Sequence, residues 1–166
     1  EEIASFYNIF SPISYLKRWF RTETSRGDRE VADRLLENPE QVKAILDVIA
    51  GDIAILTQKI IQQGGVDGIY LSTQEIQDER ITPALYQTYI EPSNIAILEV
   101  ANQVGGTNIL HICGFEGASN DVTIFKDYPA QVVNWATHHE GVSLTQGQEL
   151  FPGKAVLGGF ENGKKS

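Results

Sequence analysis

The chain has 166 residues, 42% of them hydrophobic and 21% charged, and its formal net charge is -9. This size and composition are those of one globular domain with its own core, so we expect residues 1–166 to form a single domain. Binding to duplex nucleic acid or to an anionic membrane needs clustered Lys and Arg, and the basic cluster of Lys17, Arg18 and Arg21 is small. We therefore expect no nucleic-acid partner and no membrane partner.

The single cysteine excludes an internal disulfide framework and favours a reducing, cytoplasmic location. No apolar run approaches the ~20 residues that a membrane-spanning helix needs. The sequence contains no Met, and it ends on a strand-like run followed by a polar tail. We therefore expect this chain to be a piece of a larger protein.

The first elements are a strand and a long helix. Residues 3–12 are rich in β-branched and aromatic side chains and predict a strand, whereas residues 13–28 are ambiguous. Helical spacing begins at Arg29. Asn38-Pro39 is typical of an N-cap followed by the first helical residue, so a new helix begins there and ends at Gly64-Gly65.

The pattern of strand and helix then repeats. Residues 66–72 predict a short buried strand, and Thr82-Pro83 predicts the start of a helix that runs to about Gln103. Residues 107–113 predict the next strand. The remaining predicted elements are a strand at 129–136, a short helix at 141–151 and a strand at 154–160.

Alternating strands and helices predict a parallel sheet with right-handed crossovers, in an α/β fold. A doubly wound sheet and a (β/α) barrel both satisfy this order. No Gly-rich phosphate-binding motif follows any strand, which disfavours nucleotide binding. Ligands of both folds bind at the carboxyl ends of the strands. The candidates at these ends are Ser11, Tyr70, Ser72, Gln74, His111, Cys113, Asn134, Trp135, Glu161 and Asn162.

The third strand carries the pattern His-x-Cys. Alternate residues of a strand point to the same face, so the side chains of His111 and Cys113 would point into the same region near the end of this strand. Imidazole nitrogen and thiolate sulfur are ligands that zinc prefers, but a catalytic zinc site takes three protein ligands. His138, His139 or Glu140 would be a third within the chain, or the third would lie outside it. The alternative is a buried Cys that packs as a small hydrophobe beside a hydrogen-bonded His.

Six stretches of the sequence resemble the uroporphyrinogen decarboxylase superfamily. They are "SPISYL" (11–16), "ENPEQV" (37–42), "GGVDGIYLSTQ" (64–74), "TNILHICG" (107–114), "VVNWA" (132–136) and "GKAVLGGFEN" (153–162). The resemblance implies a (β/α)8 barrel of the TIM type, about twice the length of this chain. The chain would then be a partial barrel, the central-to-late part with about five of the eight strands.

One branch of the superfamily removes carboxylates from the acetate side chains of a tetrapyrrole, in porphyrin and haem biosynthesis and without a cofactor. The place that matches the tyrosine of that branch is near Arg18 and Trp19, where no tyrosine stands, and the Asp-Trp pair of its fourth strand appears as Asn134-Trp135. The aspartate near its first strand is absent. The substrate-binding residues expected on this interpretation are Tyr70, Ser72, Gln74, Asn134 and Trp135.

A second branch is similar to methylcobamide:thiol methyltransferases, which carry His-x-Cys on this strand and a further Cys late in the barrel. This likeness implies that His111 and Cys113 are two zinc ligands and that the third falls past Ser166. The methyl donor would be a corrinoid, presented by a corrinoid protein.

We place tetrapyrrole decarboxylation first, and zinc-dependent methyl transfer from a methyl-corrinoid to a thiol close behind it. A third hypothesis is a non-catalytic binder of a tetrapyrrole or corrinoid, with a pocket lined by Tyr70, Trp135 and Phe160. As an isolated piece, we expect the chain to be inactive and to self-associate as a homo-oligomer that covers its exposed sheet edges.

Overall fold

Five parallel strands form a single sheet in which the spatial order of the strands equals their order along the chain. The computed structural model describes residues 3–115 and 117–158. The strands are β1 (Phe6–Phe10), β2 (Gly68–Thr73), β3 (Ile109–Ile112), β4 (Val132–Trp135) and β5 (Ala155–Gly158). A doubly wound sheet reverses direction at a switch point, and this sheet does not. The fold is therefore a partial α/β barrel of the TIM type.

Helices connect the strands and cover one face of the sheet. They are α1 (Pro12–Trp19), α2 (Asp28–Glu37), α3 (Pro39–Gly64), α4 (Pro83–Tyr89), α5 (Glu91–Val104), α6 (Thr137–Glu140) and α7 (Leu144–Leu150), with a 3-10 turn at Val122–Phe125. None of the helices in the described part of the chain has the length and apolar character that crossing a membrane requires.

The predicted helix caps are confirmed. Asn38 Oδ1 accepts a hydrogen bond from the Gln41 amide at 3.2 Å, and Thr82 Oγ1 accepts one from the Leu85 amide at 3.3 Å. Each bond satisfies one of the backbone donors that the first turn of a helix leaves without a partner. Helix α3 ends at Gly64, and its C-cap is Gly65, whose φ of 70° lies in the left-handed region that glycine adopts without strain.

Two stretches differ from the sequence prediction. The ambiguous residues 13–28 lie largely in α1 and in a turn that leads into α2. The single helix predicted from residue 83 to about Gln103 is wrong, since it is broken at Ile90 into α4 and α5. The cause is Pro92, which has no amide hydrogen and is therefore accommodated in the first turn of α5 and not in a helix interior.

The core lies between the sheet and its helices. Ile9, Leu71, Leu110 and Val133 come from successive strands, and each is at most 2% exposed. Leu46 of α3 belongs to the same buried cluster, and α3 also packs along α5. Successive residues of a strand point to opposite faces, so the neighbours of these core residues lie on the other face of the sheet, where the candidate site is found.

Candidate functional site

A row of register partners crosses the sheet on the face away from the helices. Phe10, Ser72, His111, Asn134 and Leu157 are paired in sequence from β1 to β5. Register partners of a parallel sheet point to the same side, so this row faces the interior side of the barrel. Three of the predicted site residues thus lie side by side.

Tyr70, His111 and Asn134 form one hydrogen-bonded group. The Tyr70 hydroxyl donates to Asn134 Oδ1 at 2.6 Å, and His111 Nδ1 lies 2.6 Å from the same oxygen. The rings of Tyr70 and His111 stack with their centroids 5.1 Å apart. The amide of Asn134 is fixed from the other side, because its Nδ2 donates to the Leu157 carbonyl at 2.7 Å.

These contacts determine the tautomer of His111. The Leu157 carbonyl only accepts, so it requires the amide nitrogen of Asn134 and leaves the amide oxygen facing His111. That oxygen also only accepts, so Nδ1 of His111 must carry the hydrogen. The lone pair of the neutral ring is therefore on Nε2, which is the atom available to a metal or to a proton.

The surroundings keep the imidazole neutral and the phenol protonated. Burial lowers the pKa of His111, and the hydrogen bond to Asn134 only partly opposes this shift. Burial also raises the pKa of Tyr70 to about 12, and an electrostatic contribution from the nearby Cys113 adds to that effect. At neutral pH His111 is thus a base or a ligand, and Tyr70 is a hydrogen-bond donor.

Cys113 follows β3 and lies two residues beyond His111. Its amide donates to the Thr73 carbonyl at 2.8 Å, which extends the ladder between β2 and β3 by one residue. This extension keeps the alternation of the strand, so Cys113 lies on the same side of the sheet as His111. The prediction that the two side chains share a face is consistent with this geometry.

Cys113 lines a cleft of about 260 Å³ at the carboxyl ends of the first three strands. Gln74, another predicted site residue, lines the same cleft. The other lining residues are Phe10, Ser14, Lys17, Arg18, Arg21, Arg26 and Phe115. Every charged side chain in this lining is a cation, although the whole chain is acidic.

Lys17 is fixed at the base of this cleft. It is 3% exposed, and its Nζ lies 2.5 Å from Asp28 Oδ1 and 3.3 Å from the Glu75 carbonyl. Asp28 also accepts a hydrogen bond from the Gln77 amide at 2.8 Å. Burial lowers the pKa of Lys17, and the Asp28 carboxylate opposes the shift. The ion pair joins α1, α2 and the loop after β2.

A second polar group holds together the loops at the rim. The Glu140 carboxylate accepts from the Asn120 amide nitrogen at 2.6 Å and from its Nδ2 at 2.7 Å. Asn120 Oδ1 in turn accepts from the Glu75 amide at 2.8 Å. Glu75 also accepts from the Asp121 amide, and burial raises the pKa of Glu75 to about 7. Sequence reasoning missed this group because its members lie far apart in the sequence, on the loops after β2 and β3 and at the end of α6.

The candidates for a third metal ligand are engaged elsewhere or are exposed. Glu140 is held by Asn120, His139 Nε2 lies 3.2 Å from Ser119 Oγ, and the His138 side chain is exposed. Within residues 3–115 and 117–158, no three His, Cys, Asp or Glu side chains form a group that would hold a metal ion.

Trp135 does not join the other site residues. It directly follows Asn134 in β4 and therefore points to the opposite face, where it is 1% exposed. Its ring packs against Phe151, and its Nε1 donates to the Val142 carbonyl at 2.8 Å. Its assignment to a substrate pocket is corrected to a core role. Phe160, Glu161 and Asn162 lie outside the described residues.

The fold and the site define a TIM-type α/β protein with polar residues at the carboxyl ends of its strands. The family model for Uroporphyrinogen decarboxylase (URO-D) matches residues 3–162. The chain therefore belongs to the uroporphyrinogen decarboxylase family, as the resemblance predicted. A search of curated proteins found no match.

Proposed function

We propose that this protein transfers a methyl group from a methyl-corrinoid to a thiol, with His111 and Cys113 as ligands of a zinc ion. The observation that carries this proposal is the fixed tautomer of His111. Asn134 accepts from Nδ1, so Nε2 keeps the lone pair of the ring, and the alternation of the strand puts His111 on the same side of the sheet as Cys113. Metal-binding histidines commonly use their second ring nitrogen in this way.

The donor set fits zinc as far as the described residues supply it. A neutral imidazole and a thiol that ionises on binding are two of the three protein ligands of a catalytic zinc site. On this proposal the third ligand would be a further cysteine of the complete protein, as the likeness to the methyltransferases implies. When bound, zinc would lower the pKa of an incoming thiol and hold its sulfur as the thiolate.

The other residues of the group would orient and shield this site. Asn134 holds the tautomer of His111, and the Tyr70 ring covers one face of the imidazole. In the transfer itself the cobalt–carbon bond breaks, its electron pair stays on cobalt, and a sulfur–carbon bond forms. The thiol proton goes to solvent.

Metal content and methyl transfer in the complete protein test this proposal. Cys113→Ser and His111→Gln are expected to lose bound zinc, measured by elemental analysis, together with thiol methylation from methylcobalamin. His138→Gln is the matched control, since the His138 side chain is exposed. Zinc content that is unchanged in both site variants would overturn the metal assignment, and zinc without methyl transfer would overturn the reaction.

Decarboxylation of a tetrapyrrole is the second candidate, favoured by the cationic cleft. Arg18, Arg21 and Arg26 suit the acidic side chains of such a substrate. Lys17, whose pKa is lowered by burial, would be the proton donor to the side-chain methylene carbon that carbon dioxide leaves, which becomes a methyl group. Release of carbon dioxide from a tetrapyrrole with acetate side chains, retained in Cys113→Ser and lost in Lys17→Met at a temperature at which that variant is still folded, would favour this candidate over methyl transfer.

In the complete protein, we infer that this chain supplies about five of the eight strands of a (β/α)8 barrel. A corrinoid protein in the cytoplasm would be the partner that presents the methyl donor. The chain expressed alone is expected to self-associate, because Tyr7 and Leu157 at the two edges of the sheet are 47% and 44% exposed.

A further inference from the structure

We propose that Asn120 is a positioning residue for Cys113, and that Glu140 and Gly114 hold Asn120 in the orientation this role needs. Asn120 acts through the backbone of Cys113 and touches neither the metal nor the substrate. This role rests on the proposed function, in which Cys113 is a zinc ligand. It gives the polar group at the rim a part in building the site that lies beside it.

The side-chain amide of Asn120 takes the place of one bond in the ladder between β2 and β3. Thr73 is the register partner of Ile112, and the Cys113 amide donates to the Thr73 carbonyl. A regular parallel ladder would continue with a bond from the Glu75 amide to the Cys113 carbonyl. Both groups bond instead to Asn120, whose Oδ1 accepts from the Glu75 amide at 2.8 Å and whose Nδ2 donates to the Cys113 carbonyl at 3.3 Å. The inserted amide therefore sets the distance between the two strand ends beside the cysteine.

The backbone of Cys113 is thereby held on both sides of its Cα atom. Its amide belongs to the peptide before Cα and bonds to Thr73, and its carbonyl belongs to the peptide after Cα and bonds to Asn120. Each peptide group is planar, so holding both restrains the two backbone torsions between them. Those torsions determine the direction of the Cα–Cβ bond, and with it the region that the sulfur reaches.

The orientation of the Asn120 amide is determined by its partners. Nδ2 faces the Cys113 carbonyl and a Glu140 carboxylate oxygen at 2.7 Å, both of which accept. Oδ1 faces the Glu75 amide, which donates. Only one orientation of the side-chain amide satisfies all three partners, and Asn120 is 8% exposed, so water does not readily replace any of them.

Glu140 and Gly114 complete the arrangement from the side of α6. The Glu140 carboxylate also accepts from the backbone amide of Asn120 at 2.6 Å, so it holds both the backbone and the side chain of that residue. To reach them it lies directly against Gly114, where a Cβ atom would overlap the carboxylate. The glycine that follows Cys113 is therefore required by the close approach of Glu140.

Zinc affinity and the reactivity of Cys113 in the complete protein test this role. Asn120→Ala is expected to weaken zinc binding about tenfold, measured on zinc-depleted protein by competition with a chelating dye. Alkylation of Cys113 by iodoacetamide without zinc, followed by mass spectrometry of its peptide, is expected to become faster because the chain beside the thiol loses its tether. Ser119→Ala is the matched control, since it removes a contact of 3.2 Å with His139 Nε2 that joins the same loop to α6 and does not include Cys113.

Further variants test whether Glu140 acts through Asn120. Glu140→Ala and Gly114→Ala are each expected to weaken zinc binding, because each removes or displaces the carboxylate that orients Asn120. The double variant Asn120→Ala/Glu140→Ala is expected to bind zinc no more weakly than Asn120→Ala alone, since residues that act as one unit are not additive. Asn120→Asp keeps an acceptor for the Glu75 amide and lacks the N–H groups, so it provides the same test if Asn120→Ala does not fold. Thermal unfolding above the assay temperature shows that a variant is folded.

The outcomes separate the positioning role from the proposed reaction. Unchanged zinc affinity and unchanged alkylation in Asn120→Ala would overturn the role, as would an equal effect of Ser119→Ala or additive losses in the double variant. Faster alkylation of Cys113 in Asn120→Ala, in a protein whose parent form binds no zinc, would support the positioning and overturn the proposed reaction. Zinc bound equally well by the parent protein and by Asn120→Ala would support the metal site and overturn the positioning.

Discussion

Asn134 Oδ1 lies 2.6 Å from Nδ1 of His111, its register partner on the neighbouring strand. Asn134 is itself oriented by the Leu157 carbonyl, which accepts from its Nδ2, so the amide oxygen of Asn134 faces His111. A backbone acceptor on β5 therefore determines which nitrogen of an imidazole on β3 carries the hydrogen. The parallel register brings the three groups into one row, and the chemistry of His111 follows from that row.

Removal of the Asn134 amide is expected to release the tautomer of His111. In Asn134→Ala the Nδ1–H loses its acceptor, so the neutral ring becomes a mixture of the two tautomers. Nitrogen-15 NMR of the imidazole is expected to show a single Nδ1–H form in the parent protein and averaged shifts in the variant. Tyr70→Phe is the control, because it removes the other donor to Asn134 and leaves the bond to His111. A single Nδ1–H form in Asn134→Ala would contradict the assignment.

Local signals in the sequence predicted much of the fold. Asn38 and Thr82 cap the helices they were expected to cap, because each has a side-chain oxygen directly before the first residue of its helix, and this is a local signal. The alternation of strands also placed His111 and Cys113 on one face. The break at Ile90 was missed because apolar helical spacing continues on both sides of it, and Pro92 is compatible with the first turn of a helix.

The site was predicted only in part. Trp135 was grouped with Asn134 because the family motif pairs the two positions, although the period of a strand puts neighbours on opposite faces. The sequence showed the cluster of Lys17, Arg18 and Arg21, but it did not show that these side chains line one cleft, since Arg26 joins them through a turn of the chain. That turn requires Gly27, whose φ is 86° and whose position against the Lys17 carbonyl leaves no room for a Cβ.

Gly147 allows α7 to approach the core, and its replacement is expected to destabilise the protein. A Cβ at this position would overlap the Trp135 ring, so Gly147→Ala should lower the free energy of unfolding by about 1–3 kcal/mol. Gly51→Ala is the matched control, because Gly51 lies in α3 with no neighbouring atom within 4 Å. This second change is expected to raise stability by about 0.5–1 kcal/mol in urea denaturation. Equal effects of the two substitutions would refute the close packing of Gly147.

The buried Lys17–Asp28 pair is expected to contribute far more to stability than an exposed pair of the same kind. Lys17→Met leaves the Asp28 carboxylate without its counter-ion and should cost about 3–5 kcal/mol. Lys43 pairs with Asp47 at 2.7 Å on the surface, so Lys43→Met should cost under about 1 kcal/mol. Urea denaturation of both variants measures the difference. If Lys17→Met lowers the free energy of unfolding as little as Lys43→Met does, the Lys17–Asp28 pair is not buried away from water.

Glu75 is expected to make stability decrease as the pH rises. Burial raises its pKa from 4.5 to about 7 in the folded protein, so the folded state binds this proton more tightly than the unfolded chain. The free energy of unfolding should therefore fall between about pH 4.5 and about pH 7 through this group, by about 1 kcal/mol because part of the carboxyl group is solvated. Glu75→Gln, which still accepts from the Asp121 amide, should remove this decrease in urea denaturation followed across that range. Glu79→Gln changes an exposed carboxylate nearby and should keep the decrease of the parent protein. If the slope against pH persists in Glu75→Gln, the group that titrates lies elsewhere in the fold.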